Sequence, residues 1–148
     1  MSSLTTTKNF VYFAIMPRRT RPTDAELAIL QVLWERGPST VREVHQALAA
    51  ARETGHTTTL KLMQIMAEKG LVRRDESART HIYTARLSRE QTQRQLVSDL
   101  ANRAFGGSAA ALVMQALSAQ APSEEELSEI RRLIADFGAT TTVTGHEP

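Results

Sequence analysis

Residues 56–85, HTTTLKLMQIMAEKGLVRRDESARTHIYTA, decide the predicted fold of this chain. A helix over residues 57–69 is predicted, because Gly70 follows where a helix ends and apolar or small residues recur at positions 59, 62, 63 and 66. Two predicted strands, 71–74 and 81–84, then flank a polar turn. A helix followed directly by a basic β-hairpin is the arrangement with which winged helix-turn-helix domains read DNA. The stretch therefore predicts a DNA-binding domain.

Two further helices precede this stretch. The first opens at the capping box Thr23-Asp-Ala-Glu26, in which two side chains satisfy each other's exposed backbone N–H groups, and it ends by Gly37. The second opens at Ser39 or Thr40, and Thr40 with Glu43 is another possible capping box. The order helix–helix–helix–strand–strand within residues 22–86 predicts a mainly α fold with a small β-hairpin, the winged-helix class. The side chains expected to face its core from the first two helices are Leu27, Leu30, Val32, Leu33, Trp34, Val41, Val44, Ala47 and Leu48.

Residues 87–137 predict three more helices. Ser88 caps the first, Gly106-Gly107 separates it from the second, and Pro122 precedes a third helix that Gly138 ends. Three short helices cannot bury their apolar stripes among themselves, so we expect this region to form a homodimer. The alternative is that the region packs back onto its own winged helix. The residues expected at the dimer interface are Leu96, Leu100, Phe105, Leu112, Val113, Leu117, Leu127, Ile130, Leu133, Ile134 and Phe137.

The two ends of the chain are expected to lie outside the folded part. Residues 1–21 are interpreted as a flexible N-terminal extension, within which Met16 is a candidate start of translation. The apolar run at residues 10–16 is too short to span a bilayer, so no membrane insertion is expected. Residues 138–148 are expected to form a disordered tail.

Charge is divided unevenly along the chain. Residues 17–94 carry 14 Lys and Arg against 9 Asp and Glu, whereas residues 95–148 carry 3 against 7. A basic N-terminal part suits a polyanion such as double-stranded DNA. The chain also has no cysteine, which removes disulfides, thiol catalysis and thiolate metal sites and is typical of a reducing compartment. We therefore expect a cytoplasmic location.

Base recognition is expected from the polar stripe of the helix over residues 57–69. Thr57 and Thr58 lie at its start, where either threonine is also a candidate cap. Lys61 can donate to guanine O6 or N7, and Gln64 can pair with adenine. The threonines can bond a phosphate or meet a thymine methyl group.

Phosphate contacts are expected from arginines around this helix. Arg79 lies at the tip of the predicted wing, Arg73 and Arg74 lie on its first strand, and Arg42 lies early in the second helix. Such contacts supply affinity and salt dependence but not sequence choice. The arginines that precede the first helix, Arg18, Arg19 and Arg21, are further candidates for backbone contacts.

No motif of catalysis or cofactor binding stands out. The four histidines, at positions 45, 56, 81 and 146, lack metal-ligand spacing, and Gly106-Gly107 lacks the context of a phosphate-binding loop. No enzymatic activity, cofactor or metal is therefore expected. Two other classes stay open. One is a winged helix used as a protein-interaction module without DNA binding, and the other is a regulator that binds an effector between tail and winged helix.

Four blocks of the sequence resemble the penicillinase-repressor (BlaI/MecI) family. They are PTDAELAILQVLWERGPSTVREV from residue 22, TTTLKLMQIMAEKGLVRRDESARTHIY from residue 57, AFGGSAAALV from residue 104 and SEEELSEIRRLI from residue 123. The resemblance implies a dimeric repressor that binds operator palindromes, commonly controls β-lactam resistance genes and partners with a membrane sensor metalloprotease. It places the recognition helix at residues 57–69, the wing at residues 73–83 and the dimer region at residues 88–137.

The sequence departs from the family pattern at three points. The family's cleavage site for release from DNA, an Asn-Phe bond, aligns with Asp99-Leu100, which puts release by this route in question. The cysteines of the family's copper-sensing branch are missing. Thr59 stands where the family places a β-branched apolar core residue, a change expected to cost about 1 kcal/mol of packing.

Overall fold

The computed structural model describes residues 21–51 and 53–143, so the expected N-terminal extension, except for Arg21, lies outside the described residues. Within these ranges the chain forms six helices and one antiparallel sheet of two strands. In chain order the elements are α1 (Asp24–Arg36), α2 (Val41–Ala49), α3 (His56–Lys69), β1 (Val72–Asp75), β2 (Ile82–Ala85), α4 (Arg89–Ala104), α5 (Ala109–Ala119) and α6 (Glu124–Val143).

The predicted capping boxes of the first two helices are present. In α1, Thr23 Oγ1 accepts from the Glu26 N–H at 3.3 Å, and a Glu26 carboxylate oxygen accepts from the Thr23 N–H at 2.9 Å. In α2, Thr40 and Glu43 make the same reciprocal pair at 3.2 and 3.1 Å. These bonds satisfy backbone donors that a helix start otherwise leaves without partners.

The expected cap of α3 is wrong. The helix begins at His56, and its N-cap is Gly55, which has extended backbone angles and no side chain to bond. The Gly55 carbonyl accepts the Thr59 N–H at 3.1 Å, so Thr57 and Thr58 already lie inside the first turn. The other end is as predicted, because Gly70 adopts the left-handed conformation that closes the helix.

The predicted hairpin is present one residue further along the chain than expected. Arg73 lies opposite Thr84 and Arg74 opposite Tyr83. Tyr83 also exchanges two backbone hydrogen bonds with Ser39, at 3.0 and 2.8 Å, on the segment that leads into α2. The base of the wing is therefore fastened to the helical part of the domain.

One apolar core joins the three helices and the hairpin. Leu30, Leu33 and Val44 are buried in it as predicted, whereas Leu27, Val32, Trp34, Val41 and Leu48 are partly buried around it. Ile29, which was not expected in the core, is also fully buried. The buried apolar residues of the cluster are Ile29, Leu30, Leu33, Val44, Met63, Met66, Val72 and Tyr83.

The helices after the hairpin divide between two compact units. The first unit extends to Gly107 and so contains α4, and the second begins at Ser108 and contains α5 and α6. Residues that flank or begin α4 contact α1, since Trp34 Nε1 donates to the Leu87 carbonyl at 2.9 Å and Arg89 lies over the Trp34 ring. The start of the first helix after the wing is thus held to α1 of its own chain.

The predicted end of α6 is wrong. The helix continues past Gly138 to Val143, so this part of the expected disordered tail is helical, and residues 144–148 lie outside the described residues. A glycine ends a helix when it turns to positive φ, and Gly138 does not, whereas Gly37 and Gly70 do. A glycine in a helix interior costs only about 1 kcal/mol relative to alanine, which does not by itself break a helix. Among the described residues, no helix is long and apolar enough to cross a membrane.

Candidate nucleic-acid interface

The four residues predicted to read bases share one exposed face of α3. Thr57, Thr58, Lys61 and Gln64 are all exposed and follow the helical period. The structure therefore brings these four side chains together as a polar stripe. The buried residues of α3, which hold the helix in the domain, are Thr59, Met63 and Met66.

The buried threonine behind this stripe is satisfied locally. Thr59 is fully buried, and its hydroxyl donates to the Gly55 carbonyl at 3.3 Å and lies 3.5 Å from His45 Nδ1. A buried hydroxyl with a partner avoids most of the penalty of an unpaired polar group. The departure from the family pattern at this position is therefore compatible with a close-packed recognition helix.

A buried ion pair fixes the far end of α3. Lys69 Nζ lies 2.9 and 3.0 Å from the two carboxylate oxygens of Glu26, which is 2% exposed. The same carboxylate caps α1, so one group joins the start of α1 to the end of α3. The sequence predicts Glu26 as a cap but carries no local sign of the ion pair, because Lys69 lies 43 positions away.

A basic groove lies between α2, the start of α3 and the wing. Its volume is about 330 Å³. Arg42 and Arg79, both predicted to contact phosphates, meet in it together with His56 and His81, which were not predicted as site residues. Among the residues that the structure describes, none that lines this groove is a carboxylate. The full lining is Thr40, Val41, Arg42, His56, Leu60, Arg79, Thr80, His81 and Tyr83.

The other predicted wing arginines lie in more acidic surroundings. Arg73 and Arg74 line a separate depression with Gln64, Glu68 and Glu76. The Arg74 guanidinium forms an ion pair with Glu76. A hydrogen bond from Arg74 to the Tyr83 hydroxyl, followed by attraction to Glu76, raises the pKa of the guanidinium. Arg74 is therefore already partnered within the chain, unlike Arg79 in the basic groove.

The turn of the wing is organised by an aspartate. Asp75 accepts a hydrogen bond from the Ser77 N–H at 2.9 Å. Hydrogen bonds from Ser77 lower the pKa of this exposed carboxyl, because they favour its charged form. This local bond shapes the beginning of the loop that carries Arg79.

Arg21 and Asp99 form a second buried ion pair. Arg21 Nε lies 3.1 Å from Asp99 Oδ2, and Arg103 Nε donates to the same oxygen at 2.9 Å. Asp99 is 3% exposed, whereas the neighbouring Leu100 is well exposed. The Asp99-Leu100 bond thus lies inside α4. Of the arginines before α1, Arg21 is engaged with α4, and Arg18 and Arg19 lie outside the described residues.

The residues expected at a dimer interface differ in exposure. The largest exposed apolar side chains of the second unit include Val113, Leu133, Ile134 and Phe137, and Leu100 of α4 is also exposed. None of the described residues of α5 is fully buried. The remaining expected interface residues are half-buried: Leu96, Phe105, Leu112, Leu117, Leu127 and Ile130.

The domain consists of three helices and a basic hairpin that is hydrogen-bonded to the helical part, and it exposes a polar stripe. This is a winged-helix domain of the kind that suits a polyanionic partner. Comparison with known families agrees with this class. The model of the family described as "Penicillinase repressor" matches residues 22–136. The chain therefore belongs to the penicillinase repressor family.

Individual relatives give the same assignment. The "Transcriptional regulator BlaI" of Mycobacterium tuberculosis is 33% identical over 126 residues, which cover 84% of this chain and 90% of that protein. The "Penicillinase repressor" of Bacillus licheniformis is 21% identical over 114 residues, covering 77% and 89%. Both names describe regulators: a transcriptional regulator and a repressor. A solution structure of the DNA-binding domain of the repressor BlaI matches 51% of this chain and 93% of its own, with 21% identity and a TM-score of 0.45.

Proposed function

We propose that the chain is a homodimeric, sequence-specific repressor that binds palindromic operator DNA. The observation that carries the proposal is the exposed stripe of Thr57, Thr58, Lys61 and Gln64 next to a basic groove. A recognition helix in the major groove presents such side chains to base edges, and flanking cations bind the phosphates. The names of the relatives, a transcriptional regulator and a penicillinase repressor, support the same role.

The proposal of a homodimer is based on the exposed apolar residues of α5 and α6. Phe137 is 68% exposed and Ile134 61%. Large exposed apolar patches mark interaction sites in soluble proteins, and a second copy of the chain offers the same patch in two-fold symmetry. Two recognition helices held together read two half-sites, which raises both affinity and specificity.

The proposed regulated genes, and the proposed mechanism by which the repressor is released from DNA, are those that the family resemblance implies. The finer parts of the proposal are control of β-lactam resistance genes and cleavage by a membrane sensor metalloprotease at Asp99-Leu100, the bond that stands in place of the family's Asn-Phe bond and therefore needs a direct test. Cutting this bond requires α4 to unwind and the ion pairs of Asp99 with Arg21 and Arg103 to break. Immunoblots of cells exposed to a β-lactam test the cleavage, and a full-length repressor during derepression would refute it.

Fluorescence anisotropy with two duplexes tests DNA recognition. One duplex carries the region upstream of the chain's own gene, and the other has the same base composition in scrambled order. We expect tighter binding to the first duplex and a steep loss of affinity with salt for both. Equal affinity for the two duplexes would contradict base reading. Failure to bind either duplex at low salt would favour the protein-interaction module.

A further inference from the structure

We propose that the basic groove between α2, α3 and the wing is a pH-dependent phosphate clamp, in which His56 and His81 bind DNA phosphate only when protonated. The inference rests on the proposed DNA binding and adds to it a site and a dependence on pH. The groove combines two permanent cations, Arg42 and Arg79, with these two histidines. Histidine is the side chain whose ordinary pKa lies between pH 5 and 8.

The position of each group supports the clamp. His56 is the first residue of α3, where the backbone N–H groups and the helix dipole favour an anion. His81 immediately precedes β2, and Arg79 lies two residues before His81. The end of the wing loop therefore places both side chains at the groove. Arg42 reaches it from the first turn of α2. Three elements thus converge on one concave basic surface.

The charged neighbours of the histidines leave them available to an external anion. Among the described residues, the groove lining contains no carboxylate. Glu43, which also lies in the first turn of α2, is engaged with the Thr40 backbone. On the wing, Asp75 accepts from Ser77, and Glu76 is paired with Arg74.

His45 is a further titratable neighbour, and its ring lies 5.4 Å from that of His56, edge to face. The carboxylate Glu53 lies three positions before His56 in the chain. Like charges on the two histidine rings at this distance repel each other, and a phosphate in the groove offsets that repulsion. Binding therefore takes up protons, because the anion favours the charged imidazoles.

The direction of the pH effect follows because DNA binding is coupled to the uptake of protons. A group whose charged form is stabilised in the complex contributes affinity that is fully present at low pH and is lost as the pH rises. We expect binding to a mixed-sequence duplex to be about tenfold tighter at about pH 6 than at about pH 8. The slope of log affinity against log salt should also steepen by about 1 to 2 at the lower pH, as protonated histidines displace further counterions.

The test compares the full chain with three variants by fluorescence anisotropy at both pH values. The double variant His56→Gln, His81→Gln should bind as the wild type does at about pH 8 and lose the gain at about pH 6. Arg79→Gln, the matched control, should weaken binding by similar factors at both pH values and keep the gain. His146→Gln, outside the described residues, should change neither value. Circular dichroism checks that each variant is folded.

The outcomes separate the two proposals. Binding that is tight and independent of pH would overturn the clamp and leave the proposed function standing. A pH effect that persists in the double variant would also overturn it and would point to His45 or another group. Failure to bind any duplex at either pH would overturn the proposed function and the clamp together. Proton NMR of the imidazole Cε1–H signals, with and without duplex, supplies a second readout, since clamping shifts the titrations of His56 and His81 upwards.

Discussion

The two compact units of the chain treat apolar side chains in opposite ways. In the first unit, Met63 and Ile29 are fully buried in a core shared by three helices and a hairpin. In the second unit, Met114 is 61% exposed, and Phe137 is more exposed still. Burial of apolar surface is the main source of folding free energy. The first unit therefore has its own core, whereas the second has apolar faces suited to another surface.

The largest expected effect comes from a matched pair of methionines. Met63→Ala should lower the free energy of unfolding by about 2–5 kcal/mol, because it leaves a cavity in the core. Met114→Ala should change it by less than about 0.5 kcal/mol at concentrations where the chain is monomeric. Urea unfolding followed by circular dichroism measures both. Equal losses in the two variants would erase the contrast between the units.

Truncation of Phe137, the most exposed aromatic side chain among the described residues, should act on assembly. Phe137→Ala should weaken the proposed dimer by about 2 kcal/mol, or roughly thirtyfold, as expected of a large aromatic anchor. Analytical ultracentrifugation over a concentration series measures the change. The thermal stability of the first unit should stay the same. A chain that is already monomeric at micromolar concentration would remove the role assigned to the second unit.

A substitution on the polar stripe of α3 should change DNA binding alone. Lys61→Ala should weaken binding to the upstream duplex by about 1–3 kcal/mol and relax the preference at one base pair, because it removes a donor to a base edge. Assembly should be unaffected. A competition assay with single-base variants of the duplex measures the change. Equal weakening on upstream and scrambled duplexes would reassign Lys61 to the phosphates.

The smallest expected effects are changes in the salt dependence of DNA binding, which should differ between Arg79 and Arg74 of the wing. Arg79→Ala should flatten the slope of log affinity against log salt by about 1, because an arginine in the basic groove is free to bind phosphate. Arg74→Ala should flatten it less, since Arg74 is paired with Glu76. A salt series on one duplex compares them. A larger effect from Arg74 would mean that its ion pair opens on DNA.

The sequence predicted the first unit well because its signals are local. The capping boxes at Thr23 and Thr40, the left-handed Gly70 and the helical period of α3 each depend on residues a few positions apart. The polar stripe follows from the same period. Gly55 was missed as a cap because the threonines that follow it rank level with glycine as capping residues and also carry a hydroxyl that can accept a backbone N–H bond.

The features that were missed depend on distance along the chain. Arg21 and Asp99 are 78 positions apart, and no local pattern announces their ion pair. His56 and His81 line the same groove only because the hairpin turns the chain back towards the start of α3. Gly138 shows the opposite failure, since a residue that often ends helices here lies within one. The exposure of Leu133, Ile134 and Phe137 in the second unit is likewise a property of the folded chain that neither the helical period nor the caps predict.

The double role of Glu26 bears on how such a repressor changes its targets. By capping α1 and pairing with Lys69, this carboxylate orients α3 through groups that lie outside the exposed stripe. The side chains at 57, 58, 61 and 64 are therefore free to vary without loosening the helix that carries them. If the stripe reads bases as proposed, stability and sequence preference are encoded in separate residues, and a few surface substitutions are enough to reach new operators.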